Sequence, residues 1–391
     1  MNSVSETKKI IASTLKVLPA VTFSLLDAYG FSLAEDLLAP ADYPTTNQSK
    51  REGYAVRFGD ISTPLAIIDN NYSNNSNDYA ITAGQAMVVQ SGHPLPQGAD
   101  TVISGEAVHV EANLLTVEAD LAQPGMNVVL QGSESSKGQL LMSRGEELSP
   151  SAIGFLASKG LGEVSVFRPP VMSIVSVGNE WIEPGKSLNT GEHFESCTYS
   201  LRAAIKQCNL NVHRIFHTDA DRESIATVFN AALNVSDIIL VTGCIDKDAG
   251  HLVESAIEGC GVDGLVNGVR QSPGNDLYFG SMDSKAIFIL PGGPISVLTC
   301  FYEYVVQAIE IMTRKKNTIP VIKASMAGPF QKPGDLTYFL SGKYAKGRVT
   351  PVLSAALTGI KSFISFNCLI ILPQEEINFQ IGEEVEVHLL P

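Results

Sequence analysis

Between residues 170 and 312 the chain repeats one pattern: a near-continuous apolar run, a turn, then a helical stretch. The runs are 171–177 (VMSIVSV), 237–242 (DIILVT) and 286–290 (AIFIL), with a further strand expected over 212–217. Helices are expected over 200–208, 222–233 and from Pro294 to about Met312. A strand that is apolar on both sides must be covered on both faces. Strands of that kind separated by helices predict a mostly parallel, doubly wound α/β sheet.

The rest of the chain has a different grain. Residues 3–20 read as an amphipathic helix, with Ile10, Ile11, Leu15 and Leu18 on one face. Segment 43–137 is rich in Asn, Gly and Pro and carries short β-type runs at 86–90 (AMVVQ), 100–103 (DTVI) and 114–118 (LLTVE), the pattern of a small all-β unit. Its Asn/Ser-rich stretch near 70–77 reads as a mobile loop. Ser149 and Pro150 start a helix that should stop near Gly160. Runs at 349–353, 368–372 and 384–389 predict a C-terminal β-barrel or sandwich. The expected division is 1–42 with 138–168 as a helical linker domain, 43–137 as a β-rich domain, 169–316 as the α/β domain and 317–391 as the barrel.

Of the 391 residues, 45% are hydrophobic and 17% charged, a globular rather than a disordered balance, so two to four compact units are expected. The net charge of −14 disfavours nucleic acid as a partner, because a phosphate backbone attracts basic surfaces. No apolar run is read as approaching the roughly 20 residues a membrane-spanning helix needs. The N-terminus lacks a continuous apolar signal core, so a cytoplasmic protein with no membrane partner is expected. The six cysteines and seven histidines show no metal-type spacing, so buried free thiols are expected and a histidine-bound metal is not.

In an open α/β sheet ligands bind outside the carboxyl ends of the strands. Three motifs fall there: 176–180 (SVGNE), 242–250 (TGCIDKDAG) and 290–294 (LPGGP). Small residues at such ends admit a ligand close to the backbone, and helix N-termini favour anions. Thr242, Gly243, Pro291, Gly292 and Pro294 are therefore candidate binding positions.

These segments, taken together, resemble the molybdopterin molybdenumtransferase family (MoeA and the gephyrin E domain). Residues 49–56 (SKREGYAV) are similar to the family's NSAMDGYAV segment, 91–96 (SGHPLP) to its TGAPLP loop and 176–180 to its STGDEL turn. Residues 290–296 (LPGGPIS) are similar to its LPGNPVS turn, and 362–367 (SFISFN) lie where the family has a Ser-rich stretch ending in Asn. The resemblance runs along the whole chain in order. It implies a multidomain fold: a MogA-like α/β domain, a β-rich insertion domain and a C-terminal β-barrel. It further implies insertion of molybdate into adenylylated molybdopterin, with Mg2+ assisting AMP release. The family works as an elongated homodimer, with the active site between the sheet domain of one subunit and the β-unit of the other.

Carried over residue by residue, the resemblance makes Glu52 and Glu180 catalytic candidates, and Glu180 with Asp221 the metal ligands. Ser91, Asp221 and Ser365 join the binding positions above, and Glu134 stands where the family has an Asp. The cationic positions depart from the family. Its KPGKP-type segment reads SPGND at 272–276, and its GRxxFxR element reads GDLTYFL at 334–340, so neither contains Lys or Arg. His251 falls at the end of the segment corresponding to GGVSVGxxD, and Cys197 replaces an Asn in the YDSN-type turn. Lys247, Arg270, Lys343 and Arg348 lie near enough in sequence to substitute. The implied function is molybdenum cofactor synthesis, with a pterin nucleotide as partner. The alternative is a catalytically inactive paralogue that binds a pterin, a nucleotide or a partner protein. A third reading is an enzyme acting on another phosphorylated ligand in the same cleft.

Overall fold

A computed structural model describes residues 1–69, 79–178, 181–243, 247–316, 318–352, 364 and 366–390. They divide into two compact units, Met1–Ala34 with Gly145–Ser149 and Glu163–Pro391, and Glu35–Arg144 with Pro150–Gly162. The stretch read as a mobile loop near 70–77 lies outside the described residues.

The larger unit is built on a six-stranded sheet in the order Val212–Thr218, Met172–Val177, Ile238–Thr242, Lys285–Ile289, Tyr278–Met282, Asp263–Asn267. The first four strands are parallel, and Tyr278–Met282 runs antiparallel to both its neighbours. Both faces are covered, as the apolar runs require. Ile174, Leu240 and Phe288 face Leu201, Ile205 and Phe301. Val175, Val241 and Ile287 face Ile225, Phe229 and Val253 on the other side. Alternation along each strand therefore feeds two cores.

Two expectations need correction here. The N-terminal helix is Val4–Thr14, shorter than residues 3–20. Ser3 and Glu6 form a capping box at its start, an arrangement whose loss typically costs about 1 kcal/mol. Pro19 follows shortly after its end, and Ala20–Ser24, with two β-branched residues, pairs instead with Glu163–Phe167. Second, Pro294–Thr313 is 20 residues long with a mean hydropathy of 1.4, long and apolar enough to cross a membrane. Its hydropathy has another cause: 67% of its most apolar stretch is buried, and it is the central core helix of this unit. A π-helical turn, Phe301–Val305, interrupts it.

The C-terminal segment closes into a barrel. Thr337–Ala345 pairs with Arg348–Pro351, then follow Val321–Met326, Glu384–Leu389 and Cys368–Leu372, which pairs back onto Thr337–Ala345. Closure of this kind covers strand edges that an open sheet would expose. The smaller unit holds a six-stranded sheet ordered Thr101–Ile103, Gly53–Val56, Gln85–Val89, Leu65–Ile68, Leu114–Val117, Val108–Glu111. The fold is thus mixed α/β with an all-β insertion and a closed β-barrel.

Candidate functional site

Because the four strands are parallel, their carboxyl ends share one edge, where Gly178, Asp219, Gly243 and Pro291 follow in turn. The chain leaves Met172–Val177 outward to Val212–Thr218 and then returns on the other side through Ile238–Thr242. The reversal makes a switch point beside Gly178 and Gly243, the place where such sheets hold ligands. Gly243 has φ +101°, and a Cβ built on it would collide with the Val177 carbonyl oxygen. Its glycine is required by the approach of two strand ends, whatever binds above. Thr242 is fully buried beside the Cys197 thiol. Pro291 and Gly292 are half-buried, and Pro294 opens the core helix with Gly293 as its N-cap.

Two cavities line this edge. A cleft of about 750 Å³ is bordered by Gly178, His217, Thr218, Asp219, Asp221 and Ser224, among others. Asp221 Oδ1 accepts the N–H groups of Glu223 (3.1 Å) and Ser224 (3.0 Å), capping the helix Arg222–Val235. The Ser224 side chain first, and then those N–H groups, hold its carboxyl below the usual range. Asp221 thus has a structural duty in the loop where the family resemblance places a ligand contact.

The second cavity, about 290 Å³, is lined by Lys186, Glu195, Thr198, Tyr199, Arg202 and His217, with others. Glu195 is only 7% exposed. It accepts the Ser176 hydroxyl at 2.9 Å and the Thr198 N–H at 3.0 Å, tying the end of the first strand to the helix Cys197–Gln207. Burial, reinforced by the Glu195 charge, pushes the Cys197 thiol up to about 11, so it is a protonated packing group. Glu195, Lys186 and Arg202 were not singled out by the sequence. The available signal was an acid just before a helix and a basic residue within its first two turns.

The two cation-depleted segments meet. Gln271 and Ser272 pair in parallel with Thr337 and Tyr338 of the barrel. Beneath the loop, Gln271 is fully buried. Its Nε2 donates to the carbonyls of Pro273 (3.0 Å) and Gly274 (3.1 Å), and Tyr304 donates its hydroxyl to Oε1. Gly274, at φ +86°, passes so close to Cys300 Sγ that a Cβ would crowd it. Asp276 and Asp335 are exposed. Lys332, the nearest preceding cation in the barrel segment, is buried and donates to the carbonyls of Pro373 and Gln374.

In the smaller unit, Glu52 lies in the exposed bend before Gly53–Val56. Ser91 Oγ donates to the Lys50 carbonyl at 3.0 Å, and Gly92 N–H to the Ser49 carbonyl at 2.7 Å. The structure therefore brings the Glu52 and Ser91 loops side by side. Glu134 pairs with Lys159, whose ammonium is almost wholly buried and sits 4.8 Å from the Tyr43 ring centroid. His251 is exposed on the helix Lys247–Glu258, with Nδ1 3.3 Å from Glu254. Arg270, Lys343 and Arg348 are exposed. Glu180, Ser365 and the loop 244–246 lie outside the described residues. Among the described residues no three His, Cys, Asp or Glu side chains gather to hold a metal, and Asp221 is engaged as a cap.

Comparison with known proteins identifies the architecture. The model for the MoeA N-terminal region (domain I and II) matches residues 2–160, and that for a probable molybdopterin binding domain matches 173–311. This chain belongs to the MoeA family. It is a divergent member. The molybdopterin molybdenumtransferase of Haemophilus influenzae is 26% identical over 381 residues, spanning 94% of each chain. That of Staphylococcus aureus is 25% identical over 398 residues, covering 99% of this chain and 95% of its relative. The crystal structure of a molybdopterin biosynthesis MoeA protein from Pyrococcus horikosii superposes with a TM-score of 0.86 at 27% identity, covering 99% and 98% of the two chains. The chain thus keeps the family fold while the segments at 272–276 and 334–340 carry no cation.

Proposed function

We propose that this chain acts in molybdenum cofactor synthesis, binding a pterin nucleotide at the carboxyl edge of its α/β sheet and transferring molybdate slowly if at all. In this reading it is a cytoplasmic homodimer, and the four segments expected from the sequence are its domains. One observation carries the reading: the pairing of 271–272 with 337–338 unites two loops that lack Lys and Arg. Molybdate is a dianion, and its stabilisers must be charges already fixed in the cleft. A charge-assisted hydrogen bond contributes about 1.5–3 kcal/mol. Since about 1.4 kcal/mol is a factor of ten, loss of two such bonds costs roughly a hundredfold or more in affinity. Exposed Asp276 and Asp335 add repulsion. Arg202, at the smaller cavity, is the cation we assign to the residual anion affinity; Lys186 beside it already pairs with Glu183 at 3.7 Å.

The test is molybdate insertion into adenylylated molybdopterin, measured beside a family member with intact motifs. The combined variant Ser272→Lys, Asn275→Lys and Asp335→Arg is expected to raise the rate. Arg202→Ala in the parent is expected to lower what activity there is. A parent rate equal to that of the intact relative would refute the weak-transfer reading. No molybdate-dependent activity in parent or rescued variant, with a pterin nucleotide still bound, would instead favour the inactive binding paralogue.

A further inference from the structure

The barrel joins its own compact unit along two seams. One is the strand pairing of 271–272 with 337–338. The other is ionic and lies at the π-helical turn of the core helix. There the Glu303 side chain, 1% exposed, places Oε1 2.7 Å from His388 Nδ1 and Oε2 2.7 Å from Lys8 Nζ. His388 belongs to the last barrel strand and Lys8 to the N-terminal helix, so three elements meet at one carboxylate. The other ring nitrogen, Nε2, lies 3.1 Å from Glu386 Oε1 on the same strand as His388.

An imidazole with a carboxylate oxygen at each nitrogen satisfies both only by donating from both, which means as the cation. The neutral ring has a single N–H, and its lone pair would then face a carboxylate. Removing that proton leaves Glu303 buried with only Lys8 to balance it, an arrangement of the kind that destabilises buried ion networks. The groups facing the ring are Glu303 from the core helix, Lys8 from the N-terminal helix and Glu386 from its own strand. Lys9 and Glu375 line the same cleft, of about 570 Å³, which gives the ring a route to solvent. Tyr304 lies under Lys8, its ring centroid 5.9 Å from Nζ. π-Helical turns are rare and frequently mark functional positions.

We propose that Glu303, His388 and Lys8 form a protonation-dependent latch that fastens the last barrel strand to the core helix and the N-terminal helix. Burial opposes the positive ring, but the hydrogen bond and charge of Glu303, helped by Glu386 and opposed by Lys8, raise His388 above the usual histidine value. Burial likewise opposes the Glu303 charge, yet His388 and Lys8 hold its carboxyl below the usual range. With the folded value of His388 raised, its stabilisation is complete below the unfolded value, about 6.5, and is lost as pH rises through the folded value.

Hydrogen exchange of the intact chain, corrected for intrinsic rates, tests the latch between about pH 6 and about pH 9. Exchange in Glu384–Leu389 should quicken about tenfold relative to the inner strand Ile238–Thr242 as the ring loses its proton. His388→Gln should abolish that pH dependence. Lys8→Gln should move the midpoint to higher pH, because the Lys8 charge opposes the imidazolium. A flat profile in the parent chain, or a parent-like slope in His388→Gln, overturns the proposal. Should His388→Gln fail to fold, the Lys8→Gln midpoint decides, and an unmoved or lowered midpoint overturns it.

Discussion

Gly243 shows how one residue serves a site through the backbone alone. At φ +101°, with the Val177 carbonyl where a Cβ would sit, alanine suffers both backbone strain and a clash. Gly243→Ala is expected to destabilise by about 3 kcal/mol, read as a lower urea midpoint at unchanged m-value. An unchanged midpoint would mean the strand ends relax freely. Asp237 makes a second residue-scale case, at the opposite edge of the sheet. It accepts two hydrogen bonds from Arg168, each 2.8 Å, and one from the Val171 N–H at 2.7 Å. Burial works against its charge, but Arg168 and the Val171 amide outweigh that and depress its carboxyl. A depressed folded value means the stabilisation is present above the unfolded value, about 3.9, and is lost as pH falls through the folded one. Asp237→Asn should therefore be less stable than the parent near neutrality, with the gap closing below about pH 4 in thermal melts. A gap of constant size down to strong acid would contradict this.

At the scale of elements, the loop 272–276 is shaped from below rather than by its own residues. Gln271, Tyr304 and Cys300 form a buried polar patch whose donors meet the Pro273 and Gly274 carbonyls. Gln271→Met keeps the volume and deletes the bonds. It should cost about 2–4 kcal/mol, because the Pro273 carbonyl and the Tyr304 hydroxyl lose their partner and the Gly274 carbonyl keeps only the weakly donating Cys300 thiol. Chemical denaturation measures that cost, and a loss below about 1 kcal/mol would mean the loop finds other partners. The same core helix carries Glu303 one residue before Tyr304, so its π-helical turn supports both barrel seams.

For the whole molecule, we expect a homodimer. The β-rich segment bears Glu52, a site residue by family resemblance, and its unit exposes apolar surface at Leu38 (52%), Leu130 (61%) and Leu140 (50%). The family resemblance names a second copy of the chain as the partner that would cover them. Light scattering at micromolar concentration should give twice the mass of one chain, and a single-chain mass throughout would count against the dimer.

Some of this was legible in the residues alone. The parallel strands and their turns could be read from apolar runs such as 171–177, because a strand apolar on both sides has few other places to go. The missing cations at 272–276 and 334–340 were visible for the same reason: charge is a property of composition. What the one-dimensional pattern does not carry is non-local pairing. Thr337–Ala345, the longest barrel strand, was not anticipated, since its register is set by Arg348–Pro351 and Cys368–Leu372. The 20-residue helix Pro294–Thr313 has the same hydropathy in a membrane or in a core, and its neighbours alone decide which. Glu303 and His388, 85 residues apart, become partners only when the barrel closes against the core helix, because a buried charge is tolerated only where the fold delivers its counter-charge.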